Sequence, residues 1–340
     1  ERPEAIAKGS GAPLLATARG LPGSDQAFVD KIDAQVLQRF AWADGLSTYL
    51  SDAYRGGMVT NFLLSAFAII GGVSYLPFAS PDSKWPFALF EFLLLVAILG
   101  ITSVGRKRRW HGRWFETRRV AEYFRHAPIL LLLGVARSPG RWPRGSDTQW
   151  PEHYARLALR ELGLPRIVVT QAYLRTAFED LLWHHATLQR AYHSGKSKRL
   201  TTVHHKLDRL SEILFSLAVA AVATYLGLVA GSALGLIPEA TAHNVSKSFT
   251  FLGVALPALG GAFAGIRYFG DFERFAAISD VTAEKLEAVE QRIKDLAKVA
   301  DGHIRYAQVA DLAHVIDDIV VAEIENWQSV FAGKQIAVPV

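Results

Sequence analysis

Four long runs with almost no charge constrain this chain more than anything else in it. Residues 59–78 hold Asn61 as their one strongly polar member, and residues 85–104 are interrupted by Glu91. Residues 213–237 and 249–266 are uncharged throughout. As helices rising about 1.5 Å per residue, all four are long enough to cross a hydrocarbon core of roughly 30 Å. Half of the chain is hydrophobic, and soluble folds rarely gather apolar residues into runs of this length. The expected fold is therefore all-α: an integral membrane protein with four transmembrane helices and a cytosolic bundle of long amphipathic helices.

Charge gives the expected orientation. Residues 105–208 carry 20 Lys and Arg against 8 Asp and Glu, whereas the short loops 79–84 and 238–248 carry one Lys each. By the positive-inside rule the middle segment is expected in the cytosol, the short loops outside, and both termini inside a multi-pass cell (inner) membrane protein. Tyr75 and Trp85 suit an outer aromatic belt; Trp110, Trp114 and Tyr268 suit an inner one. The sequence pI near 9.3 then fits an anionic bilayer surface, with no nucleic-acid partner expected. Cysteine is absent, which excludes disulfides and thiolate metal sites.

The chain has two halves on one plan, each reading as amphipathic helix, span, short loop, span, amphipathic helix. The expected units are 29–134 and 171–333, joined by a connector over 135–170 and followed by a tail over 334–340. A shift of 158 lays Gly112 on Gly270, Trp114 on Phe272 and Glu122 on Asp280. Both halves run through the membrane in the same direction, so these are parallel pseudo-repeats and not the inverted repeats common in secondary transporters. Residues 1–28, rich at their start in Gly, Ala and Pro, are expected as a flexible linker, and the start at Glu1 leads us to expect a further segment upstream.

Outside the spans the periodicity is helical. Val29, Ile32, Val36 and Phe40 lead into the first span, residues 106–125 continue from the second, and residues 172–193 and 304–331 predict two more helices. Leu286, Val289, Ile293 and Leu296 have the spacing of a coiled-coil seam. Arg141, Pro143, Arg144, Gly145 and Pro151 predict a loop over 137–151. Residues 270–340 hold 13 acids and 7 bases, so this acidic segment is expected to dock on the basic middle one.

No phosphate-binding loop, nucleophile elbow or zinc-protease helix is present, so no enzyme, cofactor or metal is expected. The pairs His184–His185 and His204–His205 point about 100° apart on a helix and chelate poorly. Asp317, Asp318, Glu323 and Glu325 lack the Gly-containing loop of an EF-hand and are expected on a solvated helix face. Polar groups inside the spans are more informative. Glu91, Asn61 and Ser65 are the candidates for lining a cation pathway. Gly227, Gly231 and Gly235, and Gly261 with Gly265, repeat at four-residue spacing and predict close helix packing. Pro257 before Gly260 and Gly261 predicts a kink with a gating role.

After the second span comes a Trp114 followed by Arg118-x-x-Ala121-Glu122-x-x-Arg125. A tight pair of spans ahead of this motif resembles the SLATT family over about residues 40–130, and the second half resembles a divergent copy. Under the shift of 158, Ala276 takes the place of Arg118 and Ser279 that of Ala121. The resemblance implies a bacterial membrane effector that forms pores or perturbs membranes when an associated nucleotide-sensing domain fires. It implies a coupling role for Trp114, Arg118 and Glu122 and an upstream sensor as partner. The expected function is an oligomeric ion channel or pore gated from the cytosolic side; four spans this apolar need symmetric assembly to enclose water. The alternative is a non-conducting scaffold or receptor that recruits lipid or a cytosolic partner.

Overall fold

In the computed structural model every regular element among the described residues is a helix. The structure describes residues 1–79, 83–135, 150–300, 302–331 and 338–339. The loop expected over 137–151 lies outside the described residues as far as 149, as do 80–82 of the first short loop and most of the tail.

A 3₁₀ turn, Pro3–Lys8, and α1, Ala12–Gly20, open the chain. Then α2 (Gln26–Lys31) passes through a π turn (Ile32–Leu37) into α3 (Gln38–Val73), followed by α4 (Tyr75–Phe78). The next helices are α5 (Trp85–Lys107), α6 (Trp110–Leu132) and α7 (Trp150–Leu162). The second half opens with α8 (Gln171–Thr176), a second π turn (Ala177–Trp183) and α9 (His184–Ala233). It closes with α10 (Glu239–Gly270), α11 (Phe272–Ala297) and α12 (Tyr306–Phe331). The helix expected over 172–193 does not stop there: α9 runs unbroken for 50 residues, about 75 Å, because nothing between His193 and the apolar run breaks it.

Four helical stretches are long and apolar enough to cross a membrane: Gln26–Phe78, Trp85–Lys107, Gln171–Ala233 and Glu239–Ala297. Their most apolar windows are only 22%, 11%, 6% and 22% buried by the rest of the chain, so they are not the core helices of a water-soluble domain. Leu93, Leu99, Phe215 and Leu226 are each more than half exposed, a surface that needs lipid or another chain to cover it.

The residues gather into two compact units. The described residues of the bundle fall in Glu1–Ser51, His111–Arg199 and Arg274–Gly333; those of the span unit fall in Asp52–Trp110, Leu200–Glu273 and Lys334–Val340. Residues 1–28 are folded into the bundle and are not a flexible linker. Pro3 and Pro13 fall at first-turn positions, where a missing N–H costs nothing, and Ile6, Leu15, Ala18 and Leu21 are buried. The expected connector likewise contains α7, which buries Ala155, Ala158 and Leu162. In the bundle core, Leu286, Val289, Ile293 and Leu296 form the buried stripe that their spacing predicts. Tyr173 and Tyr306 donate hydroxyl hydrogen bonds of 2.6 and 2.8 Å to the carbonyls of Leu132 and Leu133 at the end of α6, where helical partners run out. The acidic segment does meet the basic one: Arg190 pairs with Glu290 at 2.8 Å and Lys196 with Glu323 at 3.1 Å.

The two halves repeat at the level of the backbone. Asp25 and Thr170 cap α2 and α8, and each six-residue helix enters a π turn, which places the halves 145 residues apart. In this register the buried Phe28, Val29, Val36, Leu37 and Ala41 match the buried Tyr173, Leu174, Leu181, Leu182 and Ala186. After the second span of each half, one left-handed residue breaks the helix: Arg109 (φ 50°) before α6 and Asp271 (φ 46°) before α11. These breaks lie 162 residues apart, and the buried Thr117, Ala121, Phe124 and Ala127 then fall on the buried Ser279, Ala283, Leu286 and Val289. The shift of 158 is thus replaced by 145 early and 162 late, the difference being taken up where α9 outruns α3. Asp280, not Ala276, corresponds to Arg118, and Ala283 with Glu284 reproduces the Ala121–Glu122 pair.

Candidate functional site

Within the bundle the Arg118-x-x-x-Glu122-x-x-Arg125 spacing sets three charged side chains on one face of α6. Arg118 reaches Glu122 at 2.5 Å and Asp44 of α3 at 3.1 Å. Arg125 reaches the same Asp44 at 3.0 Å and lies 3.5 Å from Glu122, its guanidinium over the Phe40 ring. Glu122 is 3% exposed. Burial opposes its charge, but Arg118 and Arg125 beside it hold its carboxyl well below the usual carboxylate range. Burial likewise opposes the Arg118 charge, and Glu122 reverses that effect and raises it.

The network continues to α9. His126 Nδ1 stands 2.7 Å from His185 Nε2, and His126 Nε2 lies 3.5 Å from Glu122. Burial, with His126 and Arg125 nearby, keeps His185 well below the ordinary histidine value. Further along α9, Lys196 sits 3.7 Å from the centre of the Trp327 ring as well as beside Glu323, whose carboxylate also lies 3.4 Å from His193. Burial lowers Lys196 to about 8 against the pull of Glu323. Burial works against the Glu323 charge, yet His193 and Lys196 bring its carboxyl below the ordinary range. Asp317 and Glu323 are buried, whereas Asp318 is exposed and Glu325 half-buried, so only part of the acidic stretch of α12 faces solvent as expected. Trp114 is buried against Phe115 and Trp327, 4.7 and 6.5 Å between ring centres. A cavity of about 260 Å³ adjoins the network, walled by both π turns (Leu37, Asp180, Leu181) and by Phe40, Arg125 and His185.

In the span unit, Asn61 is 1% exposed and donates a 2.9 Å hydrogen bond to Thr102 of α5, while its buried Oδ1 has no protein partner. Ser65, one turn on, is half-buried. Glu91 is half-buried with its carboxylate against Gly72, and Phe90 packs on Gly71, so a side chain at either glycine would overlap α5. Of the predicted stripes only Gly265 is closely packed against another helix, and Gly260, outside them, is a further close approach. A Cβ at Gly265 would overlap the Phe62 ring, and one at Gly260 would lie 3.4 Å from the Ser211 carbonyl. At Gly227 and Gly261 it would meet nothing within 4 Å, and at Gly231 it would meet Ile237 of the following turn. Gly235 lies beyond the end of α9 at φ +72°, where its freedom ends the helix and packs against nothing. The helix α10 continues through Pro257.

Among the described residues no group of three or more His, Asp or Glu side chains is arranged to hold a metal ion. No family model, curated protein or solved structure matches the chain. Sequence reasoning gave a coupling role to Trp114, Arg118 and Glu122; it placed Arg125 in the motif, His185 in a poorly chelating pair and Glu323 on a solvated face without joining them to this site, and it passed over Asp44 and Lys196. Arg125 was available from the heptad spacing; the others come from helices whose facing only tertiary packing decides.

Proposed function

We propose that this chain is an oligomeric ion channel or pore whose spans respond to the state of a cytosolic helical bundle. The observation that carries the reading is the buried charge network: Asp44 on α3 and His185, His193 and Lys196 on α9 are held by α6 and α12. The same α3 and α9 run on as unbroken helices into apolar stretches. In this reading a shift at the bundle end of either helix is passed along the continuous helix to its apolar stretch. Asn61, with a buried acceptor lacking a protein partner, suits a water or cation in the span region, and Glu91 supplies the acidic group of the pathway.

The SLATT-like motif supports the same reading. In it Arg118 and Glu122 are the coupling pair, Trp114 anchors the start of α6, and Pro257 is the bending point of α10. Glycines 227 and 261, which face open space in one chain, are available for contact with another copy. Ion release from liposomes carrying the purified protein tests this: protein-dependent release that changes on Arg118→Ala supports gating by the bundle. Intact oligomers that release no ion but retain anionic lipid favour the scaffold reading.

A further inference from the structure

We propose that the His126–His185 pair is a proton-operated latch, which joins α6 to α9 while one of its rings is neutral and parts them when both carry a proton. The reason is the geometry of the contact. Two ring nitrogens 2.7 Å apart need one N–H and one lone pair between them, and two imidazolium rings present two N–H groups to each other. The rings also meet edge to face, with centres 4.9 Å apart, so a second charge would sit directly on the first.

The surroundings accommodate one proton and oppose the second. Glu122 and Arg125 face the pair from α6, with Arg118 behind Glu122. Asp44 of α3 holds Arg118 and Arg125; His184 adjoins from α9; Asp180 of the π turn and Gln189 of α9 line the adjoining cavity. With both rings neutral, the charges of Arg118 and Arg125 balance those of Asp44 and Glu122. Glu122, 3.5 Å from His126 Nε2, can stabilise a first proton on that ring. Each ring proton then adds an uncompensated positive charge, and the second would be placed against a ring that already carries the first. The cavity of about 260 Å³ reaches His185, so water and protons have a path to the ring that must take it. This inference concerns the bundle alone and stands whether or not the spans conduct.

The test is hydrogen exchange of the full chain in lipid nanodiscs from about pH 7.5 to about 5.5, across the ordinary histidine range, with protection corrected for the intrinsic rate. In peptides covering 117–132 and 184–193, wild-type protection is expected to fall roughly tenfold per pH unit below about 6.5. His185→Gln, whose amide still bonds to His126 but takes no proton, should remove that slope. His111→Phe, which removes the other buried histidine of α6, should keep it. A flat wild-type profile overturns the latch, as does a slope that survives His185→Gln or disappears in His111→Phe. Should His185→Gln fail to fold, His126→Gln makes the same test, and the wild type and His111→Phe decide without either.

Discussion

At the scale of single residues, the bundle depends on charges that are removed from water only because they are paired. Glu122 is the centre: it touches Arg118, Arg125 and His126, and any neutral replacement leaves two partly buried guanidinium groups with Asp44 alone. Glu122→Gln should therefore destabilise the bundle by about 3–5 kcal/mol, as for other buried pairs broken on one side, seen as a lower midpoint of thermal unfolding followed by tryptophan fluorescence. A midpoint equal to wild type would show that the network contributes nothing. The pH dependence has a definite sign. The folded-state values of His185 and Glu122 both lie below their ordinary values of 6.5 and 4.5, so each contributes stability at high pH and loses it as pH falls. His185 begins to act below 6.5 and Glu122 only below 4.5, while His111, pushed down to about 4 by burial, adds to the loss between the two. Acid unfolding should thus start in the histidine range; a stability that is constant down to the carboxylate range would contradict this.

At the scale of elements, the long helices were legible and their junctions were not. Uncharged length defines the spans, and the three-to-four spacing of Leu286, Val289, Ile293 and Leu296 defines the buried face of α11. The π turns at Ile32–Leu37 and Ala177–Trp183 leave no mark on hydropathy, and the left-handed Arg109 and Asp271 are not the glycines that such a conformation favours. The repeat was visible as a plan, but its register needed the structure, because in the 145 register Val59 falls on His204, ahead of the third apolar run at Ile213, and the extra length of α9 begins in a polar segment that hydropathy does not align. A β-branched residue at position 109 or 271 should cost about 1–2 kcal/mol more than glycine there, since only the former has a Cβ in the left-handed region. Comparing the unfolding midpoints of Arg109→Val and Arg109→Gly checks the break before α6. Of the glycine stripes Gly265 packs as expected while Gly227 and Gly261 do not, for a related reason: spacing identifies a face, not what covers it. Gly265→Leu should disrupt the contact of α10 with Phe62, and Phe62→Ala in the same chain should restore folding by vacating that space.

At the scale of the whole molecule, the account joins a charged helical bundle to helices apolar enough to cross a bilayer through two continuous elements, α3 and α9. The proposed ion pathway rests on Glu91 and Asn61. Glu91, expected from the sequence to line a cation pathway, lies against Gly72 at the contact of α3 with α5. In the proposed channel, replacing Gly72 by a larger residue should displace the carboxylate and shift the reversal potential in the same direction as Glu91→Gln. The most direct measurement is the current across a planar bilayer under a KCl gradient, for the wild type and for Glu91→Gln. The account predicts a protein-dependent, cation-selective current whose reversal potential moves toward zero in Glu91→Gln. A bilayer holding intact oligomers that passes no current would contradict it, and a current with the same reversal potential in both proteins would remove Glu91 from the path.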